Sequence, residues 1–448
     1  MGRLFGTDGI RGVANAELTP ELALQLGRAV VEVRRAEGRD RPCIAVGRDP
    51  RASGEMLEAA LIAGVTSAGG DALPLGVTPT PGVALLTGVH GADAGAVLSA
   101  SHNPVGDNGI KFFGAEGYKL TDAEEDRIEA LLGSDRPARP TGTAVGRIRR
   151  VEDPLAPYLA HLTAAAGPTR LDGLRVAVDC ANGAASAVAP AVLSALGADV
   201  HPIHAEPDGS NINAGCGSTH PEVLAAEVTA RGADVGVSFD GDADRLIAVD
   251  EHGEVVDGDA ILAVLAVALQ AEQGLSSVVT TVMTNLGFKL AMQARGIEVV
   301  ETKVGDRYVL EAMRSGGHPL GGEQSGHLIL AEYATTGDGI LSAVRLLSVL
   351  ARSGRPLSAH AGIVQRLPQV LVNVEGVDRA RLPEDAAVTA AVAAAEARLG
   401  SEGRVLVRAS GTEPLIRVMV EAATAVQATA VADELAALIR DRLGVAAR

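Results

Sequence analysis

Three aspartates at alternate positions, Asp240, Asp242 and Asp244, form the strongest chemical signal in the sequence. Carboxylates this close repel one another unless a cation neutralises them. Oxygen ligands favour a hard ion such as Mg²⁺ or Ca²⁺ over Zn²⁺. An EF-hand calcium loop is the obvious alternative, but the glycine it requires at its sixth position is Arg245 here, and residues 246–249 are strand-like. The sequence therefore predicts a magnesium site built from the three aspartates.

A serine in a turn could complete that site once it is phosphorylated. Ser101 and His102 follow an apolar, strand-like run at residues 95–98, and Pro104 prevents a helix from starting immediately. Magnesium takes its remaining ligands from water or phosphate, and a phosphoserine beside it is a competent phosphoryl donor. We therefore expect phosphorylated Ser101 to provide one oxygen ligand of the metal.

Transfer to a sugar or alcohol hydroxyl also requires that a proton move. His102 and Lys111 are the local candidates for the general acid or base, and Arg245 would stabilise charge on the transferring oxygens. His102 fits equally well as a structural hydrogen-bonding residue of the serine loop, and Lys111 as a charge partner for phosphate or a surface residue. Arg11, in the glycine-rich segment 5–12, would either reach an anion or belong to an ordinary turn.

Two further polar loops could bind the parts of a sugar phosphate that do not react. The loop from Arg408 to Pro414, followed by Arg417, combines small hydroxyl residues with arginines between two strands, which suits a phosphate nest. An ordinary hairpin turn with a surface arginine is the alternative. The glycine-rich loop at residues 321–327 carries side chains suited to sugar hydroxyls or an amine, although a plain polar loop would look the same.

Composition limits the classes of protein to which these loops can belong. The chain has 448 residues, of which 47% are hydrophobic and 21% charged, so several globular domains are expected. Its net charge of −17 argues against a nucleic-acid or anionic-membrane partner. The three cysteines lie far apart in the sequence, which fits reduced thiols better than a disulfide framework. We find neither the apolar core of a signal peptide nor an apolar run long enough to span a membrane. We expect a soluble, cytoplasmic protein.

Alternating strand-like and helix-like stretches position these loops and predict α/β layers over the first three-quarters of the chain. The last quarter has a β-α-β-β-α order, which predicts a small sheet with helices on one face. The first three segments show no sequence repeat but could share a topology. The expected domains are α/β domains with the serine loop, the aspartate loop and the glycine-rich loop at residues 1–152, 153–255 and 256–364, and an α+β domain at residues 365–448.

In their order along the chain, five of these segments resemble the signature loops of the α-D-phosphohexomutase family. They are residues 5–12, 99–104, 240–245, 322–327 and 408–414. The serine and aspartate loops are highly specific, whereas the glycine-rich ones are not specific alone. The family often has an aromatic residue after the proline of the serine loop, where this chain has Val105. That departure affects the fit of the loop rather than the chemistry.

The resemblance implies four domains around a central cleft, with a mobile last domain. It implies that Ser101 is the phosphoserine and that its phosphate and the three aspartates hold one Mg²⁺. It also implies roles for residues of the last two loops, namely sugar binding for Glu323 and Ser325, and binding of the non-reacting phosphate for Arg408, Ser410, Gly411, Thr412 and Arg417.

Residues 6–12, 107–113 and 322–327 are most similar to family members that act on glucosamine phosphates. The expected reaction interconverts glucosamine 6-phosphate and glucosamine 1-phosphate through a bound 1,6-bisphosphate, in the route to UDP-N-acetylglucosamine and cell-wall precursors. Glucosamine 1,6-bisphosphate or glucose 1,6-bisphosphate could act as activator. A glucose or mannose phosphate mutase is the alternative, and a non-enzymatic protein that binds metal or sugar phosphate is a remote one. The sequence leaves open whether the chain forms a homodimer and how Ser101 is first phosphorylated.

Overall fold

In the computed structural model, which describes residues 3–6, 8–133, 139–410 and 413–445, apolar runs form the strands of four sheets. In each of the first three sheets, three parallel strands are extended at one edge by an antiparallel strand. The first two sheets have one further strand beyond it. The fourth sheet is antiparallel throughout. The predicted fold class is therefore confirmed, and the first three sheets do share a topology.

The first sheet and its helices carry the serine loop. Their elements are β1 (Ile10–Val13), α1 (Pro20–Ala36), β2 (Cys43–Arg48), α2 (Ala52–Ser67), β3 (Asp71–Val77), α3 (Thr80–Val89), β4 (Ala94–Leu98), β5 (Asp107–Gly114) and α4 (Asp122–Glu129). Strands β2, β3 and β4 are parallel, and β4 turns back into the antiparallel β5. The connection at residues 99–106 therefore lies at the carboxyl ends of the parallel strands, where open α/β sheets bind their ligands.

The second sheet carries the aspartate loop in the equivalent connection. Its elements are α5 (Ala156–Ala164), β6 (Arg175–Asp179), α6 (Ala185–Ala195), β7 (Asp199–Ile203), α7 (Pro221–Arg231), β8 (Val235–Phe239), β9 (Leu246–Val249) and β10 (Val255–Val256). Strands β6, β7 and β8 are parallel, and β9 is antiparallel to β8. Residues 240–245 thus connect the last parallel strand to its antiparallel neighbour.

The third sheet places the glycine-rich loop in the same connection. The elements of this segment are α8 (Gly258–Gln273), β11 (Ser277–Thr281), α9 (Leu286–Gln293), β12 (Glu298–Thr302), α10 (Asp306–Gly316), β13 (Leu320–Gly322), β14 (Leu328–Leu330), α11 (Gly339–Ser353) and α12 (Leu357–Ala361). Strand β14 pairs antiparallel with β13, so residues 323–327 form the turn between them.

The fourth sheet is smaller, and its helices pack on one face. Its elements are β15 (Gln369–Glu375), α13 (Ala386–Leu399), β16 (Arg404–Ala409), β17 (Leu415–Glu421) and α14 (Ala425–Leu443). Apolar side chains from all three strands and both helices form one buried core. The arginine loop is the hairpin connection between β16 and β17.

The chain forms two compact units, residues 1–282 with 298–362 and residues 283–297 with 363–448. Helix α9 therefore belongs to the unit of the small C-terminal sheet. Its N-cap residue, Asn285, donates to the carbonyl of Leu367 at 3.0 Å, and the backbone N–H of Leu286 donates to the buried Glu421 at 2.9 Å. The four domain ranges given above stay a prediction.

Close helix packing in the first domain depends on small residues. Gly27 in α1 faces Gly64 in α2, and a Cβ atom on Gly64 would collide with the carbonyl oxygen of Leu24. The two helices cover a core of β-strand side chains that includes the fully buried Ile44 and Leu98. Among the described helices, none has both the length and the apolar character needed to cross a membrane.

Candidate active site

Ser101 is held against the aspartate loop. Its hydroxyl donates to Asp240 Oδ2 at 2.5 Å, and its Oγ lies 3.2 Å from Nδ1 of His102. The residue is buried, and its backbone has a φ of 51°. A non-glycine residue pays a strain cost in this left-handed region, so its surroundings must impose the conformation. The predicted meeting of the serine and aspartate loops is therefore present in the structure.

A fully buried arginine fixes the backbone of the serine loop. The Arg51 guanidinium donates to the carbonyl oxygens of Ser101 at 3.0 Å, Asn103 at 2.8 Å and Asp107 at 3.0 Å. It is also paired with the buried carboxylate of Asp49 at 2.9 Å. The planar guanidinium presents several donors in a rigid fork, so it sets the relative positions of these carbonyls. The sequence interpretation missed this residue.

Two other missed side chains complete the support of the loop. Nδ2 of Asn213 donates to the carbonyl oxygens of Ser101 at 2.8 Å and Asn103 at 3.1 Å. Ser99 Oγ accepts from the backbone N–H of Ser101 at 2.9 Å and donates to Asp49 Oδ2 at 2.6 Å. Both backbone groups of Ser101 are therefore anchored from outside the loop tip.

Asp240, Asp242 and Asp244 are all buried, and one oxygen from each lies within 4.8 Å of the others. Gly241 lets the two loops approach, because a Cβ atom there would lie 2.5 Å from the carbonyl oxygen of Ser101. Burial, with the negative charges of Asp244 and Asp242, raises the pKa of Asp240 well above its ordinary value. Burial also disfavours the charge of Asp244, but His327, Lys111 and Arg245 outweigh it and lower the pKa of Asp244. Within the cluster it is therefore Asp240 that lacks a compensating positive charge.

The donor set fits a hard divalent cation. Oδ1 of Asp242 and Oδ1 of Asp244 are buried without a hydrogen-bond donor among the described residues. The other Asp242 oxygen accepts from Thr80 Oγ1 at 2.7 Å, which fixes the carboxylate plane. Unsatisfied carboxylate oxygens are costly to bury, and a Mg²⁺ ion would satisfy them. The buried triad therefore suits a metal site.

Lys111 is a buried counter-charge of this site. Its Nζ lies 3.0 Å from Asp8 Oδ1, 3.4 Å from Asp242 Oδ2 and 3.9 Å from Asp244 Oδ2. Burial opposes the lysine charge, but the three carboxylates outweigh it and raise the Lys111 pKa above its usual range. Asp8 is shared with Lys119, whose Nζ lies 2.9 Å away. Lys111 is therefore charged at neutral pH, and the surface alternative is wrong because the residue is buried.

His102 is half-buried beside the Ser101 hydroxyl. Burial, together with the charges of Arg245 and Arg11, lowers the pKa of His102 below its ordinary value. The imidazole is therefore mostly neutral at neutral pH and can accept or return a proton at 3.2 Å from Ser101 Oγ. The same contact also serves the structural role considered from the sequence.

Two arginines lie close to the cluster. The backbone N–H of Arg245 donates to Asp240 Oδ1 at 3.2 Å, and its Nε lies 3.9 Å from Asp244 Oδ1. Arg11 pairs with Asp8. Nε of Arg245 and Nε of Arg11 are buried without a hydrogen-bond acceptor among the described residues. Both can therefore donate to an anion that enters the site.

The glycine-rich loop belongs to the same unit as the serine and aspartate loops. His327 Nδ1 lies 3.5 Å from Asp244 Oδ2, and the imidazole accepts at Nε2 from the backbone N–H of Gly337. Glu323 accepts from the backbone N–H of Gly305 at 3.1 Å, and burial raises its pKa above the ordinary value. Ser325 Oγ is buried and makes no hydrogen bond within the described part of the chain, so it is available to a ligand.

The second unit contains the arginine loop. Arg408 and Arg417 are paired directly across β16 and β17, and burial together with the Arg417 charge lowers the Arg408 pKa. Like charges directly opposite each other destabilise a sheet. Glu413 pairs with Arg417 and offsets part of this charge. Arg379 donates to the carbonyls of Ser410 at 2.6 Å and Glu413 at 2.9 Å, so it shapes the loop. Of the predicted phosphate ligands, Gly411 and Thr412 lie outside the described residues.

Comparison with known proteins agrees with this arrangement over nearly the whole chain. Profiles of the four phosphoglucomutase/phosphomannomutase domains match in order: alpha/beta/alpha domain I at residues 2–138, domain II at 156–253, domain III at 257–367, and the C-terminal domain at 371–438.

Individual relatives extend the comparison. The phosphoglucosamine mutase of Acidothermus cellulolyticus is 58% identical over 99% of this chain and 96% of its own length. A solved phosphoglucomutase/phosphomannomutase family protein from Burkholderia thailandensis has 25% identity and a TM-score of 0.83, covering 98% of this chain and 97% of that one. The Aspergillus fumigatus N-acetylphosphoglucosamine mutase, solved with GlcNAc-6P and magnesium, shares the fold at 20% identity and a TM-score of 0.65, covering 98% and 95%. The chain therefore belongs to the phosphoglucomutase/phosphomannomutase family, the α-D-phosphohexomutases.

Proposed function

We propose that the protein is a phosphoglucosamine mutase, an isomerase that interconverts glucosamine 6-phosphate and glucosamine 1-phosphate. The observation that carries the chemistry is the 2.5 Å contact between Ser101 Oγ and Asp240, inside a buried set of three carboxylates. The choice of sugar is supported by the full-length relative named phosphoglucosamine mutase. A glucose or mannose phosphate mutase would use the same chemistry on another sugar.

The three aspartates and an oxygen of phosphorylated Ser101 would hold one Mg²⁺ per chain. Bound there, the ion would withdraw charge from the transferring phosphoryl oxygens. The fungal mutase solved with magnesium supports this choice of metal. Arg245 and the charged Lys111 would oppose the same negative charge from the protein side, and Arg11 would orient the incoming phosphate.

In the first half-reaction the bond between phosphorus and Ser101 Oγ breaks while a sugar oxygen bonds to the same phosphorus. The sugar hydroxyl loses its proton and Ser101 Oγ gains one, so the overall proton count is unchanged. His102, neutral and 3.2 Å from Oγ, is the side chain that we assign to proton transfer at the serine. The resulting 1,6-bisphosphate reorients, and its other phosphate returns to Ser101 by the reverse path.

Glu323 and Ser325 would bind sugar hydroxyls or the amine, and the arginine loop would hold the phosphate that is not reacting. The phosphate ligands that we propose there are Arg408, Ser410, Gly411, Thr412 and Arg417. One metal site and one distal phosphate site serve both half-reactions, because the two phosphates exchange places. A sugar 1,6-bisphosphate, with glucosamine or glucose as the sugar, would restore the phosphoserine if the intermediate escaped.

The buried thiols of Cys43, Cys180 and Cys216 are free, which supports a reducing, cytoplasmic location. The substrate would be a small sugar phosphate, and the net charge of −17 speaks against nucleic acid and anionic membrane surfaces as partners.

The proposal is tested by measuring turnover of glucosamine, glucose and mannose 6-phosphates with purified protein and Mg²⁺. We expect kcat/KM to be highest for glucosamine 6-phosphate, and intact-protein mass measurement to detect one phosphoryl group on Ser101. Faster turnover of glucose or mannose phosphate would favour the alternative mutase. Absence of both turnover and covalent phosphate would favour a binding protein.

A further inference from the structure

A second cluster of metal-ligating side chains lies in the second sheet, outside the set of residues assigned to phosphoryl transfer. Asp179 ends β6, His204 follows β7, and Cys216 stands in the long connection between β7 and α7. One ligand atom from each of the three residues lies within 4.8 Å of the other two. Three segments of the chain thus converge on one point.

The three side chains differ in burial in a way that suits an accessible metal site. Asp179 and Cys216 are fully buried, whereas 32% of the His204 side chain is exposed. His204 Nδ1 lies 3.1 Å from Asp179 Oδ1, so these two donors are already oriented toward each other. The exposed side leaves access for an entering ion and for a water ligand.

Backbone hydrogen bonds hold the carboxylate in place. The N–H of Ala181 donates to Asp179 Oδ1 at 2.9 Å, and the N–H of Gly217 donates to Oδ2 at 2.9 Å. Partners of this kind orient a ligating carboxylate in established metal sites. The Cys216 thiol, by contrast, makes no hydrogen bond within the described residues. The Cys216 sulfur can therefore bind a metal without giving up a hydrogen bond.

We propose that Asp179, His204 and Cys216 bind one thiophilic divalent metal ion such as Zn²⁺, with water as the fourth ligand. A carboxylate, an imidazole and a thiolate form a soft, mixed donor set that favours Zn²⁺ over Mg²⁺. The oxygen-only triad of Asp240, Asp242 and Asp244 has the opposite preference. The two sites therefore take different metals in the same protein.

Binding replaces the thiol proton by the metal. The sulfur–hydrogen bond of Cys216 is broken, a sulfur–metal bond forms, and one proton is released to solvent. Burial, with the charge of Asp179, raises the pKa of this thiol to about 11, so the proton is present before the metal arrives. If the ion is held through Nδ1 of His204, the imidazole proton moves to Nε2 and gives up its hydrogen bond to Asp179.

The site lies in the same chain segment as the support of the serine loop. Asn213, three residues before Cys216, donates to the carbonyl of Ser101, and its own N–H donates to the carbonyl of Ala181 at 2.9 Å. Because Ala181 also donates to Asp179, the cluster and Asn213 share one hydrogen-bonded backbone. A bound metal would therefore rigidify the segment that positions Ser101.

The test uses the full-length protein saturated with Mg²⁺. Co²⁺ is then added as a spectroscopic probe for the proposed zinc site. We expect one Co²⁺ per chain, a thiolate-to-cobalt charge-transfer band, and loss of that band when Zn²⁺ is added. Cobalt at the oxygen-only triad gives no thiolate band, so the two sites are distinguished. Absence of the band in the natural protein would overturn the proposal.

Three variants locate the metal. Cys216→Ala should abolish the band, and Cys180→Ala, which removes a buried thiol outside the cluster, should keep it. His204→Gly should fold, since a φ of 45° suits glycine, and should weaken Co²⁺ binding by about tenfold or more. A band that survives Cys216→Ala, or an unchanged affinity in His204→Gly, would contradict the assignment.

Discussion

The serine and aspartate loops of the first unit differ in construction from the arginine loop of the second unit. Ser101 and the three aspartates are buried, and two side chains distant in sequence, Arg51 and Asn213, fix the backbone of the serine loop. In the second unit, Arg408 and Arg417 lie opposite each other on the two strands that flank the arginine loop, and Arg379 donates to two carbonyls of that loop. In the proposed mechanism the reacting phosphoryl group would meet buried carboxylates on a fixed backbone. The distal phosphate would meet two like charges paired across a sheet, of which Arg417 is already paired with Glu413.

The electrostatic signs of the two regions are also opposite. Asp240 has a raised pKa because burial and neighbouring carboxylates disfavour its negative charge. Arg408 has a lowered pKa because burial and Arg417 disfavour its positive charge. Each region is therefore relieved by a ligand of the opposite charge, a cation in one and an anion in the other.

The largest loss of activity is expected from removing Ser101 Oγ, the proposed phosphoryl carrier. Ser101→Ala eliminates the phosphoryl carrier, and we expect kcat to fall by at least about 10⁴-fold and the covalent phosphate to disappear. Coupled turnover assays and intact-protein mass measurement check both. Ser99→Ala is the matched control, since Ser99 contacts the same loop but carries no phosphate; it should lower the rate while keeping the phosphoryl group. Substantial turnover by Ser101→Ala would refute the mechanism.

The next effect should come from loosening the buried region without touching its reactive groups. Arg51→Lys keeps a positive charge but loses the fork that holds four carbonyls, so we expect kcat to fall by about 10²-fold with little change in KM or in Mg²⁺ affinity. Steady-state kinetics and magnesium titration separate these quantities. Arg48→Lys, which alters an arginine paired with Glu55 and Glu58, should have little effect. Equal losses in both variants would mean that Arg51 has only a general structural role.

The sequence pointed to Ser101 and the three aspartates because their residue types are unusual at their spacing. Three aspartates at alternate positions demand a cation, and Ser101 stood at the end of a strand-like run. Arg51 could not be assigned in the same way. An arginine after Pro50 looks like a solvent-exposed turn residue, and its role depends on carbonyls about 50 positions away in the chain. Tertiary contacts of a backbone carbonyl leave no mark on the residue that carries it.

The fold shows the same division between local and long-range information. Strand and helix types followed from local apolar patterns, so the four sheets were predictable. The sequence did not predict that the three site loops occupy equivalent positions, because the loops share no sequence. Each loop lies between the last parallel strand and its antiparallel neighbour. The membership of helix α9 in the C-terminal unit depends on contacts such as Leu286 with Glu421, which are remote in sequence.

A smaller loss of activity is expected from changing the arginine loop, and the same change should increase the stability of the free protein. Arg408→Gln removes one charged donor to the distal phosphate, so kcat/KM should fall by about 10- to 100-fold. The same change relieves the repulsion from Arg417, so the free protein should unfold at a slightly higher temperature. Arg398→Gln, in the same unit and paired with Glu434, should change neither quantity. A destabilised Arg408→Gln protein would show that the arginine pair is already balanced without an anion.

The smallest effect on turnover, and the sharpest contrast in pH dependence, is expected from two aspartates that cap helices in the two units. Asp338 caps α11 and accepts from the Tyr158 hydroxyl at 2.9 Å, and Asp385 caps α13. Burial raises the pKa of Asp338 to about 7, whereas hydrogen bonds from the backbone N–H of Val388 and others lower the pKa of Asp385. The same residue type at the same helix position therefore titrates in opposite directions.

The two shifts give opposite signs of stability against pH. Asp338 binds its proton more tightly when folded, so its contribution is complete below about pH 4 and is lost as the pH rises through about 7, by up to about 4 kcal/mol. Asp385 contributes above the unfolded pKa and loses that contribution as the pH falls. In metal-free protein, Asp338→Asn should therefore gain stability relative to the natural chain between pH 4 and 7. Asp385→Asn should instead lose stability relative to the natural chain as the pH rises through the acidic range toward the ordinary pKa of an aspartate. Calorimetry of both variants across pH checks the signs. If the stability of the two variants relative to the natural chain changed with pH in the same direction, burial of the Asp338 carboxyl would not control its titration.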